Sequence, residues 1–255
     1  MTGHVVLVTG GAGAIGLETC AQFLAANAAV VVNGRDAGRC EAAAVQLRGR
    51  FPGARVFALA ADVSDYAASA ALVADVEAAA GRLDGLVHSA TGGAPGVLGK
   101  FEQTDPAQYL TLMQRSLCTL LNICHAALPA LRRAGGGAIV ALSSDSGKIA
   151  APNQTLQGAT RAGAMMFIRS LALEASADAI RCNCVSPTFV QGTPIFDRML
   201  AQDPQSGRAA RAASRAKLGL PTASDIAALT VFLCSPAGAH LTGQVISVNG
   251  GLSAA

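Results

Sequence analysis

The stretch VVLVTGGAGAIG, residues 5–16, decides how the remainder of the chain is read. Val5, Val6, Leu7 and Val8 form a continuous apolar run, which suits a strand buried on both faces of a parallel sheet. The run stops at Thr9-Gly10. Gly10, Gly11 and Gly13 then permit a tight turn that a β-carbon would obstruct, and Gly16 lets the following helix lie close to the strand. From Ile15 onward helix formers follow (Leu17, Glu18, Ala21, Gln22, Leu24). The turn therefore aims bare amides and a helix N-terminus at whatever sits above it, an arrangement suited to a pyrophosphate. Glycine-rich turns also serve as plain connections, so the continuation of the chain has to decide.

That continuation repeats one unit. Strands are expected at 29–33, 55–60, 85–89, 138–143, 180–185 and 244–248, and helices at 37–48, 67–80, 106–131, 154–176 and 223–234. Strands alternating with helices imply parallel βαβ units with right-handed crossovers and a sheet covered on both faces. No Pro/Gly/Ser linker or charge run divides the chain, so residues 1–255 are expected to form one domain.

Composition narrows the function classes. With hydrophobic residues at 51% and charged residues at 14%, the chain can bury a large aliphatic core. A formal net charge of +3, scattered along the sequence, argues against nucleic acid as the main partner. No apolar run approaches the roughly 20 residues of a membrane span, and residues 1–4 do not resemble a signal peptide. A cytoplasmic protein with no membrane partner is expected. The seven cysteines lack any CxxC pairing and read as reduced core thiols, with no metal site.

Over nearly its whole length the chain resembles the short-chain dehydrogenase/reductase superfamily. Residues 9–16 resemble its TGxxxGxG turn, with Ala14 where Gly is usual. The resemblance implies a Rossmann-type doubly wound parallel sheet of about seven strands, with cofactor contacts from Gly10, Gly13, Ala14, Ile15 and Gly16. Asp62-Val63 is similar to the acidic pair that contacts adenine. Leu86-Val87-His88-Ser89-Ala90 stands where the family has its NNAG strand end, which assigns cofactor contacts to Ser89 and Ala90. Residues 180–187 resemble the NxxxP segment ending at Pro187, although Thr188 replaces the usual Gly. Thr193 resembles the Thr that meets the nicotinamide carboxamide. Thr242-Gly243-Gln244 and Asn249-Gly250-Gly251 resemble the C-terminal strand and turn.

Cofactor choice is read at Val31-Val32-Asn33-Gly34-Arg35-Asp36. NAD-specific sheets commonly place a carboxylate at this strand end, whereas Gly34 removes it and Arg35 offers a guanidinium to a 2′-phosphate. NADP is therefore expected in preference to NAD. Asp36 reads as a helix N-cap; Arg39 either reinforces the phosphate site or is solvated.

The resemblance also implies a catalytic Ser, a Tyr-xxx-Lys pair and an Asn. Ser144 matches the Ser, but Gln157 stands at the Tyr position, Arg161 at the Lys position and Ser116 at the Asn position. Gln157 offers hydrogen bonds and no titratable proton. Arg161 stays charged and presents a planar fork, suited to a ribose, phosphate or carboxylate. Their spacing of four puts both on one helix face. The two tyrosines, Tyr66 and Tyr109, lie far away in sequence. Three residues carry alternatives: Asp145 reads as a solvated loop carboxylate or, if buried, an acid; His88 as a hydrogen-bonding replacement for the Asn near the ribose or a proton donor; Lys148 as a surface lysine or one that swings inward.

Residues 190–218 stand where the family has its substrate lid, and Arg208, Arg211 and Arg215 there form one stripe if helical, either solvated or attracting an acyl-carrier or coenzyme A phosphate. The apolar character of 106–131 and 154–176 (Met165, Met166, Phe167, Ile168 and Leu171 nearly encircle the latter) predicts a homotetramer or dimer through these helices. Three functions fit: an NADP(H)-dependent oxidoreductase acting through a non-standard site on a carbonyl or hydroxyl substrate, acyl-carrier- or coenzyme A-linked ones included, a catalytically degenerate subunit that binds cofactor as a structural or regulatory partner, or a redox-neutral enzyme in which Arg161 grips an anionic substrate.

Overall fold

The run at residues 5–8 becomes part of β1 (Val5–Thr9), every residue of which is buried. The computed structural model describes residues 1–202 and 207–254. After β1 come α1 (Ala14–Ala25), β2 (Ala29–Gly34), α2 (Ala37–Arg50), β3 (Val56–Ala60), α3 (Tyr66–Ala80) and β4 (Gly85–His88). Then follow α4 (Tyr109–Met113), α5 (Thr119–Arg133), β5 (Gly137–Leu142), α6 (Thr155–Ala175), β6 (Ile180–Pro187), α7 (Pro194–Gln202), α8 (Arg208–Arg215), α9 (Ala223–Cys234) and β7 (Val245–Val248). The strands form one seven-stranded parallel sheet in the order β3-β2-β1-β4-β5-β6-β7.

Alternation along each strand divides the core between the two faces. Val5 and Leu7 join Leu86, Ile139 and Cys182 beneath Leu72 of α3, Ile123 of α5 and Ile168 of α6. Val6 and Val8 join Val87, Val140 and Val185 beneath Phe23 of α1, Leu47 of α2 and Leu233 of α9. Each such aliphatic side chain contributes roughly 1.5–3 kcal/mol by leaving water. Both faces must be covered, which is why the strands read as continuous apolar runs.

Two details matter for the site. Asp36 is the N-cap of α2, its carboxylate accepting the Arg39 amide at 2.9 Å. The helix expected as one piece over 106–131 is instead broken into a 3-10 turn (Pro106–Gln108), α4, a π-turn (Gln114–Cys118) and α5. At the π-turn the Ser116 hydroxyl donates to the Gly92 carbonyl at 2.9 Å. The Gly92 amide donates back to the Arg115 carbonyl at 2.9 Å. The widened turn thus latches the loop after β4 to the helix, a local departure from the α-ladder that periodicity cannot reveal. Beyond β6, α7 and α8 share a small apolar cluster of Phe196, Ala209, Ala212, Ala216 and Leu220. Within the 190–218 segment, positions 203–206 lie outside the described residues.

Candidate active site

Strand order reverses between β2-β1 and β4-β5, so a crevice opens over the C-terminal ends of β1 and β4. Gly10 sits there at φ +71°, and a β-carbon on it would meet the Ser89 carbonyl at 2.8 Å. One on Gly16 would collide with the Gly10 carbonyl oxygen. The turn is thereby pinned between the end of β4 and the start of α1. Gly13 is the N-cap of α1 and supplies no side-chain cap, which leaves the amides around Ala14 and Ile15 bare. The Ser89 amide donates to the Thr9 carbonyl at 3.0 Å, fixing Ser89 and Ala90 beside the turn.

At one end of the crevice lie β2 and the turn after β3. Arg35 is exposed just past β2. Burial pushes the Asp62 carboxyl up, but hydrogen bonds from Ser64 and the charges of Arg35 and Arg115 outweigh it and hold the group below its usual range. Arg35 and Arg115 therefore both act on the Asp62 carboxylate at this end. A β-carbon on Gly34 would lie 3.1 Å from the Cys40 sulfur, a tight contact with a side chain of α2. Val63 is buried, and Asn122 of α5 ties down the turn by donating to the Val63 and Ser64 carbonyls at 3.3 and 3.0 Å.

At the other end, the Ser144–Gly147 loop lies directly on α6. A β-carbon on Gly147 would stand 2.7 Å from the backbone of Arg161 and Ala162, and one on Gly158 would stand 2.8 Å from the Ser146 carbonyl oxygen. These two glycines bring the loop onto the turn of helix that carries Gln157 and Arg161. The Ser143 hydroxyl also donates to the Arg161 carbonyl at 3.3 Å, and Ser146 donates to the Ser144 hydroxyl at 3.3 Å. Ser144, Gln157 and Arg161 are thus gathered at one place. Ser116 is buried nearby on the π-turn, but its hydroxyl is turned to the Gly92 carbonyl.

Arg161 is 8% exposed, and its Nε is buried with no hydrogen-bond partner. No ion pair among the described residues includes it. Burial pushes its pKa down without a neighbouring carboxylate to oppose the shift. Among the described residues, the other buried side-chain atoms without a partner are the Asn33 carbonyl oxygen, at the end of β2, and the Thr188 hydroxyl, just past β6. Both lie at C-terminal ends of strands, and the Arg161 charge is felt at His88 of β4 and Cys184 of β6. Buried polar atoms ordinarily find partners. Arg161, on the helix turn that faces the Ser144 loop, is the one of the three that carries a charge. Of the remaining residues, Pro187 closes β6. Thr193 donates to the Val190 carbonyl at 2.8 Å and accepts the Phe196 amide at 3.4 Å, so its hydrogen is already committed.

At three side chains the structure decides between the alternatives left by the sequence. Asp145 is not a solvated loop carboxylate: it is buried, accepting from Ser186 and Ser247 at 2.7 Å, Asn249 at 2.6 Å and Ser253 at 3.2 Å. Its donors come from β6, β7 and the C-terminal segment, so it fastens the Ser144 loop to the sheet edge. Lys148 is not a surface lysine; its side chain is 12% exposed, with Nζ 3.9 Å from Asp145 and 3.5 Å from the Val245 carbonyl. His88 is held between hydroxyls, Nδ1 2.9 Å from Thr9 and Nε2 3.3 Å from Thr119. Burial, assisted by the Arg161 charge, pushes its pKa down to about 3. It is neutral at physiological pH and serves as a hydrogen-bonding strand end. Neither tyrosine joins the loop on α6: the Tyr109 hydroxyl pairs with Thr104 at 2.8 Å, and the Tyr66 ring packs on His125.

The His88 environment has a measurable consequence. Between about pH 6.5 and its folded-state pKa of about 3, the unfolded chain binds a proton that the folded chain refuses, so stability falls as pH falls through this window. The loss is about 1.4 kcal/mol per pH unit for this group. Denaturant melts at about pH 7 and about pH 5 are expected to show a larger drop for the wild type than for His88→Asn, which cannot titrate.

A Rossmann-type sheet with a glycine turn at its switch point defines a nucleotide-binding α/β protein. The chain belongs to the short-chain dehydrogenase/reductase family: a family profile described as enoyl-(acyl carrier protein) reductase matches residues 10–253. An uncharacterized oxidoreductase of Mycobacterium tuberculosis is 30% identical over 98% of this chain and 92% of the relative. An inactive 2-(S)-hydroxypropyl-CoM dehydrogenase of Xanthobacter autotrophicus is 33% identical over 90% of this chain and 96% of the relative. Among solved structures, an NADPH-bound short-chain oxidoreductase of Pseudomonas aeruginosa PAO1, described as containing an atypical catalytic centre, superposes with a TM-score of 0.88. It is 33% identical, covering 98% of this chain and 96% of that one. Among the described residues, no helix is long and apolar enough to cross a membrane, and no cluster of His, Cys, Asp or Glu could hold a metal ion.

Proposed function

We propose that the protein is an NADP(H)-dependent oxidoreductase acting on a carbonyl or hydroxyl substrate through a site in which Gln157 and Arg161 replace the usual acid and its lysine. The observation that carries this reading is Arg161, buried beside the Ser144 loop, with a buried Nε that has no hydrogen-bond partner and no ion pair among the described residues. A desolvated charge with no counter-ion is costly, and a ribose or an anionic group brought there would relieve it. The bare amides between Gly10 and Gly16 would cradle the pyrophosphate, Asp62, Val63, Ser89 and Ala90 would border the adenosine, and Arg35 would face the 2′-phosphate. Pro187 and Thr193 would border the nicotinamide. The NADPH held by the Pseudomonas relative supports the choice of cofactor.

The bound nicotinamide supplies the hydride chemistry. On the protein side, the Ser144 hydroxyl and the Gln157 amide donate hydrogen bonds to the substrate oxygen, and Arg161 opposes negative charge developing there. Ser116 acts through Gly92, holding the loop after β4 against the crevice. With Gln157 unable to titrate and His88 neutral, the proton at the substrate oxygen exchanges with water. Residues 1–255 act as one domain, and the 190–218 segment within it serves as the substrate lid, held by the cluster of Phe196, Ala209, Ala212, Ala216 and Leu220. Leu110, Met166 and Leu173, exposed by 80%, 58% and 79% along α4 and α6, support pairing with a second copy, and thus a homodimer or homotetramer.

A second reading, a non-catalytic partner subunit that binds cofactor, draws support from the 33% identical relative named as inactive. The experiment that tests the proposal is calorimetric titration of the purified chain with NADPH and, separately, NADH. Micromolar NADPH binding with at least about tenfold weaker NADH binding is expected, since Arg35 rewards the 2′-phosphate by a charge-assisted contact. No binding of either nucleotide would overturn both readings.

A further inference from the structure

The buried Asp145 carboxylate does more than fill the sheet edge. Ser186 of β6 and Ser247 of β7 are register partners, and both donate to its Oδ1 at 2.7 Å. Asn249 and Ser253 of the C-terminal segment donate to Oδ2 at 2.6 and 3.2 Å, and the Lys148 ammonium stands 3.9 Å from Oδ1. Burying a carboxylate is costly, and an apolar side chain commonly serves packing as well. What the charge adds is a fixed position, through short charge-assisted bonds from both strands and the C-terminal segment. On one side that position is passed to Ser144. The Ser144 carbonyl accepts the Gly147 amide at 2.9 Å, and the Asp145 carbonyl accepts the Lys148 and Ile149 amides at 2.9 and 2.8 Å. The loop therefore closes as a tight turn whose anchor is the residue next to Ser144.

On the other side the same cluster reaches the 190–218 segment. Asn249 Nδ2 also donates to the Ser253 carbonyl at 3.0 Å, and Asn249 Oδ1 accepts the Gly251 amide at 3.0 Å, so residues 249–253 fold into a turn on the carboxylate. The Gly250 carbonyl in that turn accepts the Leu218 amide at 3.1 Å, and a β-carbon on Gly250 would collide with the Gly219 carbonyl oxygen. We propose that Asp145 is a positioning residue: with the 249–253 turn it holds the Ser144 hydroxyl in a fixed relation to the end of the 190–218 segment. The group that meets the substrate oxygen and the segment that serves as lid then keep one geometry. The inference rests on the oxidoreductase reading above and adds to it a carboxylate and a chain segment that act through Ser144.

The test is a double-mutant cycle on the full chain: wild type, Asp145→Asn, Ser144→Ala and both together, each assayed for reduction of cyclohexanone by NADPH and titrated with NADPH by calorimetry. Asp145→Asn keeps the shape but sets an amide against the Asn249 amide. It is expected to lower kcat about tenfold with NADPH affinity held within about twofold. In the Ser144→Ala background the same substitution is expected to cost nothing further, because no hydroxyl remains to be misplaced. Asp145→Asn/Asn249→Asp exchanges donor for acceptor across the same contact and is expected to recover kcat to within about threefold. Hydrogen exchange at the Leu218 amide is expected to speed up in Asp145→Asn and to slow again in the exchanged pair. Should Asp145→Asn not fold, Ser253→Ala, which removes one donor and keeps the carboxylate, carries the same cycle with an expected loss of about threefold. Additive losses from the two sites, an equal fall in NADPH affinity or an unchanged kcat would overturn the assignment and leave the oxidoreductase reading intact. Exchange at Leu218 that does not respond to Asp145→Asn would remove the link to the 190–218 segment. A wild-type chain that shows no ketone reduction would overturn the assignment together with the oxidoreductase reading.

Discussion

Replacing Arg161 with methionine is expected to make the protein harder to melt and poorer at binding NADPH. The guanidinium is 8% exposed, its Nε has no partner, and none of the ion pairs among the described residues reaches it. Apolar replacement of a buried charge is commonly stabilising, and a gain of about 1–3 kcal/mol is expected here. At roughly 2–4 °C per kcal/mol for a chain of this size, the melting temperature rises by several degrees. Methionine keeps a flexible stem in place of the arginine's, so cavity formation does not cancel the gain. Binding moves the other way: each hydrogen bond from a charged donor is worth about 1.5–3 kcal/mol, so NADPH affinity drops about 10- to 100-fold. Scanning calorimetry of the ligand-free variant and NADPH titration report the two effects separately. A lowered melting temperature would show that the fold itself uses the charge. Unchanged NADPH affinity would remove Arg161 from the cofactor site. The opposed signs are what distinguish a residue kept for binding from one kept for packing.

The parts of this molecule legible in its sequence are those set by short-range chemistry. Val5 to Val8 had to be a strand buried on both faces because no polar position interrupts them, and Gly10 and Gly16 mark backbone approaches that any β-carbon would block. Asp36 could be read as a cap because its partner is the amide three residues ahead. What the sequence hides is built from distant pieces. Asp145 looks like a loop carboxylate until Ser186, Ser247, Asn249 and Ser253 converge on it across the sheet edge. Lys148 is drawn inward by the same arrangement. The π-turn at Ser116 depends on a loop residue, Gly92, 24 positions away, and apolar spacing through Leu110, Met113, Leu117 and Leu120 is compatible with an unbroken helix. Thr188 is an unremarkable threonine in sequence; only its buried, unpartnered oxygen sets it apart, and the one clue beforehand is a side chain where the family resemblance places glycine.

Installing the missing acid should produce the largest change in rate. In Gln157→Tyr/Arg161→Lys, reduction of a simple ketone by NADPH is expected to rise about 10²- to 10⁴-fold over wild type, the usual contribution of a positioned general acid. The reasoning is local to α6. The two positions are four apart on one helix face, and the Gly147 and Gly158 contacts press the Ser144 loop onto that face. A tyrosine at 157 would place its hydroxyl toward Ser144, and Gln157 is only partly buried, which leaves room for the larger ring. Lysine at 161 supplies a compact charge that lowers the phenol pKa, whereas the arginine fork spreads its charge over a plane and holds its proton. His88 cannot perform this task, since its pKa near 3 keeps it neutral and both its nitrogens already meet hydroxyls. Stopped-flow loss of NADPH absorbance, with ligand titration to confirm that the variant still binds NADPH, measures the outcome. A variant that binds NADPH and reduces the ketone no faster than wild type would mean that proton supply is not what the Gln157–Arg161 pair lacks. The pair would then have a task of its own, and the buried guanidinium, which the fold carries at a cost, points to holding an anionic group of the substrate as that task.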